Sequence, residues 1–264
     1  MSFEPADTAA ALPATDLVYH RDAYAWTIDA VVVGVDAEAR AIALDRTHVY
    51  PGGGGQPHDT GVVTSAAGSW EISAAKKQGT VVWHTLAGDG DLPAVGDRVT
   101  VVIDWASRYR LMRTHTALHV LCGMIYRDYG ALVTGGNMAI DKARMDFEME
   151  DFKPERVAEI EIKANAEIAR ALDIRVNVLP REEAFQIPDL IRTKINLLPE
   201  GISEIRTVEI VGLDLQADGG THVANTREVG GIKIIGTRSK GKSNKRLELV
   251  LTGVEGDETL AAKS

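Results

Sequence analysis

The sequence predicts an α+β protein, with a small N-terminal β-barrel followed by a two-layer α/β domain whose sheet is mostly antiparallel. Short β-branched segments separated by turn residues fill the first hundred positions, two long helical segments follow, and alternating segments close the chain. Many short strands with turns between them are typical of barrels, whereas helices mixed with strands indicate α+β layers. We therefore expect a flexible lead-in over residues 1–15, a barrel domain over 16–104 and a second domain over 105–264.

Six short strands are expected in the first domain. A valine run and an alternating segment form the first pair, and the six predicted strands cover residues 31–33, 40–45, 61–65, 70–73, 80–86 and 97–103. Between the second and third strands lie four consecutive glycines, residues 52–55, bracketed by Pro51 and Pro57. Such a loop lets backbone approach a ligand closely, although a plain flexible loop is the simpler interpretation of a glycine run alone.

The second domain is expected to contain two long helices and five strands. Asp104 can cap the first helix, and Pro154 stands at the first turn of the second. A short helix with loops is expected over residues 181–203. The predicted strands cover residues 143–149, 174–179, 205–211, 232–237 and 247–251.

Composition narrows the function classes. The net charge of −9 argues against indiscriminate nucleic-acid binding but leaves room for a local basic patch. The single cysteine, Cys122, excludes a disulfide within the chain, and we expect it to be a small buried residue. The sequence has no apolar run long enough to span a membrane and no secretion signal at its N-terminus, so a cytoplasmic location without membrane contact is expected.

Two pairs of potential ligands, each with spacing four, predict a metal site. His115 and His119 stand four apart in a helical run, which places both imidazoles on one face. Asp218 and His222 are also four apart, across a Gly-Gly pair that favours a tight loop. One such helical pair is more often core or surface, but two pairs together favour a four-coordinate metal site. Because position 116 is not glutamate, this is not the zinc-protease helix.

Two basic groups are candidate phosphate contacts. One precedes the histidines and contains Arg108, Arg110 and Arg113. The other, near the C-terminus, contains Arg238, Lys240, Lys242, Lys245 and Arg246. Contact with a nucleic-acid backbone is the functional interpretation, whereas a solvated helix face and a soluble turn are the structural ones.

Three sequence blocks together resemble the free-standing alanyl-tRNA editing proteins and the editing domain of alanyl-tRNA synthetase. They are T-x-x-Y-P-G-G-G-G-Q-P-x-D-x-G at residues 47–61, M-R-T-H-T-A-L-H at 112–119 and D-L-Q-A-D-G-G-T-H-V-A-N-T-R-E-V-G at 214–230. The resemblance covers nearly the whole chain after the lead-in. It implies an enzyme that hydrolyses the aminoacyl ester of tRNA-Ala mischarged with serine or glycine.

The resemblance also implies a ligand set and two further site residues. The family holds a metal, usually zinc, with His-x3-His and Cys-x3-His, which here implies His115, His119 and His222. Asp218 stands where the family has cysteine. It is either a fourth ligand, harder than the family's thiolate, or a residue beside the ligands that leaves the metal with three histidines and an open coordination position. Thr47 is implied in recognising the serine side chain, and Gln56 in holding the substrate or the attacking water.

Two mechanisms and two rival functions stay open at the level of sequence. In one mechanism a divalent ion activates water and polarises the ester, and in the other it orients the substrate's amino group while water attacks unaided. Asp218 is a candidate general base if it is not a ligand. The rival functions are a non-catalytic tRNA-binding protein with a structural metal, and a metallohydrolase of small esters or amides.

Overall fold

A closed antiparallel barrel of six strands forms the N-terminal part of the computed structural model, which describes residues 12–150, 153–193, 202–241 and 243–253. The barrel strands follow the order β2-β3-β7-β6-β5-β8. Their bounds are β2 Thr27–Asp36, β3 Ala41–Leu44, β5 Gly61–Ser65, β6 Gly68–Gln78, β7 Val81–Leu86 and β8 Arg98–Ile103. All six predicted strands are present, and the barrel prediction is confirmed.

The barrel interior is filled by the inward side chains of these strands. Ile42, Leu44, Val63 and Val101 are fully buried and belong to one apolar cluster. Burial alternates along β7 and β8, as expected for a small barrel whose interior is packed with side chains. β6 is longer than predicted because its polar second half still pairs with β7.

A short parallel pair lies beside the barrel. β1, Asp16–Leu17, pairs with β4, Arg46–Thr47, and a 3-10 helix, Val18–His20, follows β1. Thr15 ends the predicted lead-in, yet it is buried and its hydroxyl donates to the carbonyl of Leu44 at 3.2 Å. Residues 1–11 of that lead-in lie outside the described residues.

The rest of the described chain packs helices against two antiparallel sheets. The helices are α1 Trp105–Tyr129, α2 Pro154–Ala169, the short α3 Arg181–Ala184 and a 3-10 helix at Thr226–Val229. The four-stranded sheet has the order β14-β15-β10-β9 and the three-stranded sheet the order β11-β12-β13. Their strands are β9 Val133–Met138, β10 Ala143–Phe147, β11 Ile174–Pro180, β12 Glu204–Ile210, β13 Asp214–Ala217, β14 Gly231–Ser239 and β15 Lys245–Thr252. The α+β class is confirmed, although two sheets replace the one expected.

Two of these strands were not anticipated from the sequence. β9 contains two adjacent glycines, and β13 has only four residues, so neither shows the alternation that marks a strand. The predicted strand at residues 143–149 ends at Phe147. Part of the predicted short-helix-and-loop segment, residues 194–201, lies outside the described residues.

Helix α1 is the centre of the second part. Asp104 caps it by accepting from the amide of Ser107 at 3.2 Å, and Gly130, with φ of 66°, ends it in the left-handed conformation. Every residue from 111 to 125 is buried, so the helix is enclosed on all sides. Its buried polar side chains therefore need partners from other elements. Gln56, His222 and Asp214 lie next to His115, Thr116 and His119 respectively.

Candidate metal centre

Four side chains from two segments meet at the middle of α1. His115 and His119 come from the helix, while Asp218 and His222 come from the loop after β13. Each offers one ligand atom, and these atoms all lie within 4.8 Å of one another. The ring centroids of the three histidines are 4.2 to 5.0 Å apart, and each histidine residue is at most 6% exposed. The structure thus brings together residues about one hundred positions apart.

The loop that carries Asp218 approaches the helix closely at Gly220. A Cβ at Gly220 would lie 2.3 Å from Cε1 of His115, a distance that real atoms do not adopt, whereas Gly219 has open space. The amide of Gly220 donates to Oδ2 of Asp218 at 2.7 Å, which closes the turn. The Gly-Gly pair is therefore needed mainly at its second member, where backbone meets an imidazole.

The Nδ1 atom of each histidine faces a different supporting side chain. Nδ1 of His115 is 3.0 Å from Oε1 of Gln56, and Nδ1 of His222 is 3.1 Å from Oγ1 of Thr116. Nδ1 of His119 is 3.6 Å from Oδ2 of Asp214. The Nε2 atoms of His115 and His222 both face Asp218, at 3.5 and 3.0 Å. This arrangement is that of metal-binding histidines, whose second nitrogen is oriented by a neighbour.

Gln56 selects the tautomer of His115. The amide of Thr221 can only donate, and it donates to Oε1 of Gln56 at 3.1 Å. The same oxygen must therefore accept from Nδ1 of His115, which leaves a lone pair on Nε2. Nε2 of Gln56 donates to Oγ1 of Thr221 at 2.8 Å, and the residue is 3% exposed. The structure thus gives Gln56 a positioning contact, and its contact with substrate or water stays a prediction.

Three of the four pKa shifts favour the protonation state that a metal ligand needs, and that of His119 does not. Burial holds the pKa of His115 well below its usual value and lowers the pKa of His222 to about 4. Burial by itself raises the pKa of Asp218, but interactions with the three nearby histidines outweigh burial. The net shift is well below the usual value, so the carboxyl is ionised. Burial also lowers the pKa of His119, but Asp214 and Asp218 outweigh it and the net shift is upward. Two neutral imidazoles and a carboxylate are ready to bind a cation without losing protons.

The residues present fit a divalent metal. Three imidazole nitrogens and one carboxylate oxygen are ligands that zinc takes in proteins, and the three histidines are buried while Asp218 is partly buried. His115, His119, His222 and Asp218 would hold the ion.

The glycine loop, residues 52–55, has a backbone conformation that places it beside the histidine cluster. The φ angles of Gly52, Gly53, Gly54 and Gly55 are all positive, between 57° and 140°, which only glycine adopts without strain. The carbonyl of Gly55 accepts from the amide of Met138 at 2.9 Å, so the loop is docked on β9. This docking delivers the next residue in the chain, the supporting glutamine, to the histidine cluster.

Arg108 anchors the far end of that loop. Its Nε donates to Oδ1 of Asp59 at 3.0 Å, and the two side chains are 0% and 1% exposed. Further bonds run from Arg108 to the carbonyls of Ala23 and His48. Burial and these internal bonds therefore argue against a phosphate contact by Arg108 and favour a structural role.

The other predicted basic residues are placed unequally. Arg113 is 5% exposed and donates to the carbonyl of Val229 at 2.9 Å, whereas Arg110 is exposed. Lys240 is exposed but lies 3.0 Å from Asp146, and Lys245 is 9% exposed and donates to a backbone carbonyl. Arg246 also pairs with that aspartate, Arg238 is exposed, and Lys242 lies outside the described residues. Burial therefore argues against phosphate contacts by Arg113 and Lys245.

Thr47, on β4, is buried beside the barrel and contacts the barrel residue His84. Nδ1 of His84 faces the carbonyl of Ile42 at 3.3 Å, so Nδ1 carries the proton and Nε2 accepts. Thr47 donates its hydroxyl hydrogen to that Nε2 at 2.9 Å and accepts from the amide of Val49 at 3.1 Å. One lone pair of the hydroxyl is left over. Recognition of a serine side chain by Thr47 stays a prediction.

Apart from Gln56, the residues that support the centre were not identified from the sequence. Asp214 and Thr116 lie inside two of the quoted blocks, but nothing in their spacing says that they face imidazoles. Arg206, on β12, lies 3.6 Å from Oδ2 of Asp218 and donates to its carbonyl at 2.8 Å. Of these residues, only Thr116 could have been suspected from the sequence, because it is a polar residue between the two helical histidines.

Comparison with known proteins decides the family. The alanyl-tRNA editing protein AlaX-M of Methanosarcina mazei is 39% identical over 240 residues, which is 88% of this chain and 95% of the relative. That of Saccharolobus solfataricus is 37% identical over 235 residues, covering 88% and 97%. The chain belongs to the AlaX-M family of alanyl-tRNA editing proteins. The resemblance drawn from the three blocks is confirmed.

Two family models and a synthetase agree with this membership. The model described as threonyl and alanyl tRNA synthetase second additional domain matches residues 205–248, which include the loop of Asp218 and His222. The model described as tRNA synthetases class II (A) matches residues 27–107, which contain the barrel. The alanine–tRNA ligase of Ignicoccus hospitalis is 39% identical over 251 residues, 92% of this chain but 26% of the ligase.

Two smaller predictions can be compared with the structure. Cys122 is buried, lies outside the histidine cluster, and has its thiol pKa raised by burial, as expected for a packing residue. None of the helices in the described part of the chain is both long and apolar enough to cross a membrane.

Proposed function

We propose that this protein hydrolyses the aminoacyl ester of tRNA-Ala mischarged with serine and, as a second substrate, glycine. The relatives that it matches over most of its length are named alanyl-tRNA editing proteins. The observation that carries the chemistry is the convergence of His115, His119, His222 and Asp218 within 4.8 Å. Ester hydrolysis needs polarisation of a carbonyl and an activated water, and a metal centre supplies both.

The proposed metal is Zn²⁺, held by the three imidazoles and Asp218. When bound, the ion supplies Lewis-acid polarisation of the ester carbonyl and makes water more acidic. Gln56 and Thr116 orient His115 and His222, so the ligand lone pairs point to the centre before a substrate arrives. A prearranged donor set of this kind explains why imidazoles are buried in the middle of helix α1.

Asp218 is proposed as a ligand rather than as the general base. Its Oδ2 accepts from the amide of Gly220 at 2.7 Å and lies 3.0 Å from Nε2 of His222, whereas its Oδ1 lies 3.5 Å from Nε2 of His115. Oδ1 therefore has lone pairs available for the ion, while Oδ2 fixes the turn. A carboxylate used in both ways is poorly placed to shuttle protons.

The deciding experiment is a deacylation assay on tRNA-Ala charged with serine, glycine or alanine. We expect rapid loss of serine, retention of alanine, abolition of activity by a chelator, and recovery when Zn²⁺ is added. His119→Ala should lower serine deacylation by more than about 100-fold because a ligand is lost. Glu167→Gln is the matched control, because Glu167 is a buried carboxylate on α2 that pairs with Arg127 and Arg170.

Other outcomes would point to the rival functions. Binding of tRNA without hydrolysis of any ester would leave a tRNA-binding protein with a structural metal. Hydrolysis of small esters that is indifferent to salt would indicate a small-molecule hydrolase, since tRNA binding weakens steeply as salt rises. Undiminished serine deacylation by His119→Ala would reject the metal-assisted mechanism itself.

A further inference from the structure

The support of His119 differs in chemistry from that of the other two histidines. Gln56 and Thr116 are neutral, whereas the side chain facing Nδ1 of His119 is the carboxylate of Asp214. The separation of 3.6 Å is longer than a hydrogen bond, yet this Nδ1 makes no hydrogen bond within the described residues. A buried ring nitrogen and a buried carboxylate oxygen therefore face each other.

Asp214 is held in position from its other sides. Its Oδ1 lies 3.3 Å from Nε of Arg192, and its Oδ2 accepts from Nε2 of Gln216 at 2.5 Å. Arg192 is itself fixed, since its guanidinium lies 4.0 Å from the ring centroid of Tyr126 and donates to the carbonyl of Asp189 at 2.7 Å. A buried carboxylate is costly unless it is paired and hydrogen-bonded, and this one is both.

Helix α1 makes room for this carboxylate at Gly123. A Cβ at Gly123 would lie 2.7 Å from Cβ of Asp214 and 3.2 Å from its carboxyl carbon. Gly123 is four residues after His119, so it lies on the same helix face one turn further on. The glycine in a helix interior costs about 1 kcal/mol relative to alanine. Its presence lets Asp214 reach the imidazole one turn away.

We propose that Asp214 is a positioning residue of the metal centre: its carboxylate orients the ring of His119 and selects the tautomer that presents Nε2 to the ion. Arg192 and Gln216 keep the carboxylate in place. The inference rests on the metal site proposed above. The anionic partner makes the imidazole a stronger electron-pair donor than the neutral partners do, as in the carboxylate–histidine pairs of zinc sites.

The test measures metal binding by the full chain, not activity. Zn²⁺ affinity is measured by competition with a chromophoric chelator, and ligand geometry by the visible spectrum of the Co²⁺ form. We expect Asp214→Asn to weaken Zn²⁺ binding by about 10- to 100-fold and to shift the Co²⁺ bands. Gly123→Ala should weaken binding in the same direction without removing a charge, because the added methyl displaces Asp214 from His119. Glu167→Gln should leave both readouts unchanged.

The outcomes separate this role from a merely structural one. If Asp214→Asn and Gly123→Ala fold but bind Zn²⁺ like the wild type with the same Co²⁺ spectrum, the positioning role is overturned. If Asp214→Asn does not fold, Gly123→Ala decides by the same two measurements. A wild-type chain that binds no Zn²⁺ would overturn the proposed metal site instead, and deacylation of seryl-tRNA-Ala would still be measured separately.

Discussion

The histidine cluster and the basic residues were both predicted from the sequence to be functional, but the structure brings only the histidines together in one site. The histidines converge, and their Nδ1 atoms face supporting side chains while ligand atoms meet at one centre. Of the basic residues, Arg108 is enclosed by Asp59, and Lys240 and Arg246 pair with Asp146. Spacing on a helix is a geometric constraint, whereas a cluster of charges along the chain is not.

The charge balance explains the fate of the basic residues. The chain has 38 acidic and 29 basic residues, so a lysine or arginine meets an excess of carboxylates within its own fold. Burial keeps His115 on α1 and His222 on the loop after β13 neutral, so the excess of carboxylates does not draw these two imidazoles into ion pairs as charged groups. A basic patch in an acidic protein is therefore weaker evidence for a nucleic-acid contact than a histidine pair is for a metal.

Replacing Arg108 tests the comparison most severely. Arg108→Ala leaves Asp59 as an unpaired buried carboxylate, so the free energy of unfolding should fall by about 3 to 5 kcal/mol. Urea unfolding followed by circular dichroism measures the loss. The exposed Arg110→Ala is the matched control and should change stability by less than about 0.5 kcal/mol. Equal, small decreases in the free energy of unfolding of both variants would contradict the structural role of Arg108.

A pair of glycines tests the close approach at the histidine cluster. Gly220→Ala places a methyl against the ring of His115 and should weaken Zn²⁺ binding by about 10- to 100-fold. Gly219→Ala meets open space and should bind Zn²⁺ nearly as the wild type does. Chelator competition measures both. Similar affinities for the two variants would mean that the approach of the loop to His115 is not needed.

The histidines of the barrel sharpen the comparison, because they are buried without belonging to the cluster. Burial lowers the pKa of His84 to about 4, against about 6.5 when unfolded. Between these values the unfolded chain binds a proton that the folded chain does not, so stability is complete above about pH 6.5 and falls as the pH drops towards 4. At pH 5 this histidine should cost about 1 to 2 kcal/mol. Urea midpoints at pH 7 and pH 5 should differ less for His84→Asn than for the wild type, and equal differences would contradict the assignment.

The smallest effect is expected at Lys240. Its ammonium group already faces Asp146, so Lys240→Ala should change stability by less than about 1 kcal/mol and leave the salt dependence of tRNA binding unchanged. The exposed Arg110→Ala is the contrasting variant, since losing one phosphate contact lowers the salt slope by about one. Filter binding at several salt concentrations measures the slopes. A reduced slope for Lys240→Ala would show that this lysine leaves its aspartate for phosphate.

Particular elements show where sequence reasoning reached and where it stopped. The helix cap at Asp104, the six barrel strands and the long helix followed from local patterns of caps, turns and alternation. β9 and β13 did not, because adjacent glycines and a four-residue length carry no periodic signal. Asp214 and Gly123 could not be linked either, since they meet only when the start of β13 packs on α1.

The sequence by itself determined the donor types, their spacing on α1 and the family, because these depend on residue identity and on helical periodicity. The tertiary structure decided which polar groups serve the centre and which serve the fold. Gln56 reaches His115 only because four glycines with positive φ dock their loop on β9. Arg108 is shielded from solvent because it pairs with Asp59 in the interior. Such pairings depend on contacts between distant segments, which no local pattern records.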